Sequence, residues 1–84
     1  MSRPKDEKGN KNIIGEKVKF LRKRENISQM GLVAQLQLMG LDVDRNVITR
    51  IETNQRYVSD IELKTIAKFF GVSYEYLLDE KDLH

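Results

Sequence analysis

The chain has 84 residues, with 15 lysines and arginines against 13 aspartates and glutamates, no cysteine, no tryptophan, one proline and one histidine. A chain of this size buries only about 60% of its unfolded surface, so one small domain must rest on well-packed amphipathic elements, and without cysteine no disulfide scaffold can assist it. No apolar run approaches the roughly 18 residues of a membrane span, which makes a cytoplasmic protein the default expectation. The sole histidine is His84, and with no thiolate to join it zinc lacks its usual ligands, so no metal or other cofactor is expected. Charge is unevenly spread: residues 1–58 carry 12 basic and 7 acidic side chains, whereas residues 59–84 carry 3 and 6. Positive charge gathered in one part of a chain suits a polyanionic partner, although many proteins with this imbalance bind nothing acidic.

Residues 1–12 are too polar to repay the entropy of ordering and read as a disordered arm; residues 79–84 read as an acidic tail. Between them, over residues 13–78, the pattern predicts an all-α domain of five helices and no strand. Helix 1 covers about residues 13–25, with Ile14, Val18 and Leu21 on one face and Asn26 as its stop. Ser28 caps helix 2, which buries Leu32, Val33 and Leu36 and ends near Met39 and Gly40. Asp44 caps helix 3, with Val47, Ile48 and Ile51 inward. Ser59 and Glu62 form a capping box for helix 4, whose Leu63, Ile66, Ala67 and Phe70 share a face ahead of Gly71. Ser73 then opens a short helix 5 whose Tyr74, Leu77 and Leu78 are expected to close the core.

Burying Val47, Ile48 and Ile51 leaves Arg45, Asn46, Thr49, Arg50 and Thr53 outside, a stripe with two cations and no acid. Arginine can bridge the two acceptors of guanine in a major groove, asparagine can pair with adenine, and threonine can touch a thymine methyl. An ordinary solvated face is the competing explanation, but glutamate and lysine are commoner there. Gln29 stands at the positive end of helix 2, where backbone amides and a side-chain amide suit a phosphate oxygen. Asn54, Gln55, Arg56 and Tyr57 follow helix 3 and offer further donors; Asn54 can equally be there because asparagine tolerates a left-handed backbone.

The run from Ile14-Gly15-Glu16-Lys17-Val18 to Leu21-Arg22, then Ile27-Ser28-Gln29 with Leu32, Val47 to Glu52, Ile66 to Ser73 and Leu77-Leu78 resembles the Cro/cI-type, or XRE-type, helix-turn-helix family. That resemblance implies a compact five-helix, lambda-repressor-like domain. It implies a transcriptional regulator, a repressor by occupancy, that binds a pseudo-palindromic operator in double-stranded DNA as a homodimer with helix 3 in the major groove. By position, Arg45, Asn46, Thr49 and Arg50 would face base edges, and Gln29, Asn54, Gln55 and Arg56 would stand near phosphates. It also pairs Arg22 with Glu52 in an internal ion pair. The sequence departs from the family in Gln37 to Asp44, a longer connection into helix 3, where Leu38, Met39 and Leu41 are expected to extend the core or, alternatively, to meet a protein. Gly31 in the first turn of helix 2 is a smaller departure, costing up to about 1 kcal/mol relative to alanine.

No nucleophile with an adjacent base, no glycine-rich phosphate loop and no carboxylate cluster at acid-base spacing is present, so an enzyme is not expected. The alternative to a regulator is an antitoxin-like protein-interaction module whose DNA binding is secondary, with Phe20, Leu38, Met39, Phe69 and Tyr76 as its candidate contacts.

Overall fold

Five helices form, four of them where their side-chain caps dictate. In the computed structural model, which describes residues 5–80, they are α1 (Gly15–Arg24), α2 (Gln29–Leu38), α3 (Arg45–Glu52), α4 (Asp60–Phe70) and α5 (Tyr74–Leu78), with no strand among the described residues. Ser28, Asp44, Ser59 and Ser73 each accept from the backbone amide three residues on, at Gly31, Val47, Glu62 and Tyr76, which satisfies a donor that the helix itself leaves free. The Ser59–Glu62 capping box is reciprocal: Glu62 N donates to Ser59 Oγ at 3.1 Å and Ser59 N to Glu62 Oε1 at 2.9 Å. At the other ends, α2 and α4 give way to Gly40 and Gly71 at φ +97° and +68°, the left-handed stops expected of them.

The start of α1 differs from expectation. Its cap residue is Ile14, which has no side-chain oxygen to offer. Asn12 does the work instead: its Oδ1 accepts from Ile14 N at 3.1 Å and Gly15 N at 3.0 Å. Asn12 therefore belongs to the folded unit rather than to the polar arm in which sequence placed it. Ahead of it, Asp6 Oδ1 accepts from Lys8 N and Asn10 N and closes a turn. The first four residues of the arm and residues 81–84 of the tail lie outside the described residues, and His84 with them.

Val18, Leu21, Leu32, Leu36, Ile48, Ile51, Ile66 and Leu77 are fully buried at the centre. The connection into α3 contributes Val43 to this core, with its carbonyl accepting from Gln37 Nε2 at 2.9 Å. That is a correction, because the core extension expected of Leu38 and Met39 does not occur. They are 82% and 37% exposed, and only Leu41 packs partly against the core. The reason is helical phase: two residues beyond the buried Leu36, the Leu38 side chain points about 200° round the helix.

Two contacts fix α1 against its neighbours. At Gly15 the α1 backbone lies against the carbonyls of Ile51 and Glu52 at the end of α3, leaving no room for a Cβ. Lys17 is only 3% exposed, and its Nζ donates to the carbonyls of Tyr76 at 2.7 Å and Asp79 at 2.9 Å. The ammonium thus sits at the negative end of α5, 4.0 Å from the centre of the Tyr76 ring.

Candidate nucleic-acid interface

The core holds α3 by one side. Ile48 and Ile51 are buried, Val47 is half-buried, and Arg45, Asn46, Arg50 and Thr53 face solvent with Thr49 at the margin. No acid stands on this exposed face. Thr53 Oγ1 turns back to the Thr49 carbonyl at 2.8 Å, so its hydroxyl proton is engaged within the helix.

Behind the face lies the ion pair. Arg22 Nε donates to Glu52 Oε2 at 2.6 Å and Nη2 to Oε1 at 3.1 Å, while Nη1 caps the Ile27 carbonyl at 3.0 Å. Both residues are buried, at 8% and 6% exposure. The Glu52 hydrogen bond raises Arg22 above its ordinary value, against the opposing effect of burial. The pair is the one that resemblance suggested.

Gln29 connects the pair to the face. Its Nε2 donates to Glu52 Oε1 at 3.1 Å, and its Oε1 accepts from Arg45 Nε at 3.3 Å and Thr49 Oγ1 at 3.2 Å. The residue expected beside a phosphate thus spends its side chain mainly inside the protein, orienting two α3 side chains. At the start of α2, the amide of Gly31 donates to Ser28 Oγ at 2.9 Å.

The loop after α3 is fastened more firmly than its composition suggests. Asn54 adopts φ +63°, and its Nδ2 donates to both the carbonyl and Oδ1 of Asn12, each at 3.0 Å. The Asn54 side chain is thus turned toward Asn12, while its backbone takes the left-handed turn that asparagine tolerates. Asn12 Nδ2 in turn donates to the carbonyls of Ile51 and Arg56, at 3.2 and 2.8 Å. Gln55 is exposed, and its amide closes the turn on the Arg50 carbonyl at 2.8 Å. Arg56 Nη1 donates to Glu62 Oε1 at 2.9 Å and to the Tyr57 carbonyl at 3.0 Å. Burial pushes the Glu62 carboxyl up, but the bonds from Arg56 and the Ser59 amide outweigh it and hold it below the ordinary value.

Between this loop, Lys11 and the start of α4 lies an open cleft of about 540 Å³ that also reaches Arg50. Sequence reasoning missed Lys11 as part of this surface and Asn12 as the clasp bonded to Ile51, Asn54 and Arg56, since nothing local distinguishes them from the rest of a polar arm. Among the described residues no group of three or more His, Asp or Glu side chains is placed to hold a metal ion, and no helix is long and apolar enough to cross a membrane.

No curated protein and no solved structure matches the chain significantly. A family model described as a helix-turn-helix domain does match, over residues 15–83, and its span takes in both α2 and α3 with the turn between them. The chain therefore belongs to the helix-turn-helix domain family.

Proposed function

We propose that the protein is a sequence-specific DNA-binding transcriptional regulator of the XRE type that lays α3 in the major groove and acts as a repressor by occupancy. The observation that carries this reading is the acid-free outer face of α3, anchored from behind by buried Ile48 and Ile51. Arg45, Asn46, Thr49 and Arg50 then meet base edges. Gln55, Arg56 and the first amides of α2 at Gln29 meet backbone phosphates. The Gln29 side chain acts one step back, holding Arg45 and Thr49 in orientation.

The protein binds as a homodimer on two half-sites about one helical turn, roughly 34 Å, apart. Supporting a seam between copies, Ile61, Tyr74 and Leu78, the last two of which do not enter the core as expected of them, are exposed apolar residues lining one shallow groove between α4 and α5. The interaction-module alternative keeps less of its basis, because Phe20, Phe69 and Tyr76 pack against the core, leaving Leu38 and Met39.

Selection from random duplex DNA tests the reading. An enriched palindromic site, with Arg45→Ala losing about 1–3 kcal/mol and its preference at one base position, supports it. No enrichment at low salt overturns it. Light scattering of the protein with the selected duplex checks the dimer; one chain per full site refutes that part.

A further inference from the structure

We propose that Lys11 is a DNA-backbone contact, and that Asn12 and Asn54 are positioning residues that hold it beside Arg56 to form a seat for one phosphate next to the base-reading Arg50. The inference rests on the DNA-binding reading and adds to it a segment that family membership does not address, since Lys11 and Asn12 precede the matched residues 15–83.

Three observations converge on this cleft. Its cations are Lys11, Arg50 and Arg56, and its one carboxylate, Glu62, is already engaged by Arg56 and the Ser59 amide. Among the described residues neither Lys11 nor Arg50 has a carboxylate partner. Lys11 Nζ lies 5.6 Å from the centre of the Tyr57 ring, an arrangement that steadies the ammonium without neutralising it.

The backbone of Lys11 is also fixed. Its amide donates to the Asn54 carbonyl at 3.0 Å, and the neighbouring Asn12 is bonded to Ile51, Asn54 and Arg56. The clasp thus ties the segment before α1 to the loop after α3. Part of the ordering cost of a lysine contact is met before any partner arrives. Finally, Arg50 belongs both to the outer face of α3 and to the cleft, so a duplex engaged by that face has its backbone close by. A phosphate oxygen there accepts from the Lys11 ammonium and from the Arg56 N–H groups that Glu62 and Tyr57 leave unused, and releases a condensed counterion.

The test is binding of the selected duplex and an unrelated duplex, followed by fluorescence anisotropy between 50 and 200 mM salt. One phosphate contact accounts for about 3.5-fold of the weakening over that range. Lys11→Ala is expected to bind both duplexes more weakly, with their affinity ratio unchanged, and to flatten the log–log salt slope by about one per protomer. Lys11→Arg restores the slope. Asn12→Ala, if its helical signal shows it folded, loses the same slope although Lys11 is intact. If the unaltered protein binds and Lys11→Ala keeps its slope and affinity, this inference is overturned alone. If the unaltered protein binds no duplex, the DNA-binding reading is overturned and this inference with it.

Discussion

Replacing Arg22 by methionine, Glu52 by leucine, and then both together tests what the buried ion pair contributes. At an effective dielectric of about 20, charges roughly 3.5 Å apart attract by about 5 kcal/mol. Bringing both charges out of water costs several kcal/mol each, so the intact pair lies near balance. A single substitution removes the attraction and leaves the remaining ion desolvated, at a cost of roughly 3–5 kcal/mol. For Glu52→Leu the stranded group is the Arg22 guanidinium, with only the Ile27 carbonyl left to it; for Arg22→Met it is a carboxylate still holding Gln29. The Arg22→Met side should therefore be the milder. The double variant leaves no buried charge, and its main losses are the donor to Ile27 and the acceptor for Gln29 Nε2, each worth about 1 kcal/mol. Urea denaturation followed by the helical signal measures all four proteins, against a total stability of about 5–15 kcal/mol expected for such a domain. The reasoning fails if the two single losses are each below about 1 kcal/mol and simply add in the double variant.

Three further outcomes follow from other contacts. Gly15→Ala should destabilise by roughly 1–3 kcal/mol, because a Cβ there meets the Ile51 and Glu52 carbonyls and pushes α1 off α3; an unchanged denaturation midpoint would count against that close approach. Glu62 has a folded-state value depressed below its ordinary 4.5, so its contribution is full above that value and is lost as the pH falls through the lower one. In Glu62→Gln, which can still close the capping box but not the ion pair with Arg56, the acid-side loss of melting temperature should be smaller than in the unaltered protein; an identical acid limb would refute it. Asn54→Gly keeps the left-handed backbone but loses the two bonds to Asn12, whereas Asn54→Ala adds about 1–2 kcal/mol of backbone strain. Equal stability of the two variants would show that the φ of Asn54 carries no cost.

The sequence by itself determined the five helices and, apart from the start of α1, where they begin. Ser28, Asp44, Ser59 with Glu62, Ser73, Gly40 and Gly71 act on backbone groups within a few residues of themselves, so their chemistry is legible wherever the chain is read. The outer face of α3 was legible for the same reason, since helical phase alone separates Ile48 and Ile51 from Asn46 and Arg50. Phase also argued against burying Leu38 beside Leu36; the expectation of extra core followed its composition and overlooked its direction. Only the tertiary structure decided what Asn12, Lys17, Gln29 and Asn54 do. Asn12 bonds to a residue 44 positions away and Lys17 to one 62 away. No local pattern encodes such a pairing, because which amide meets which carbonyl is set once the packed helices bring their ends together.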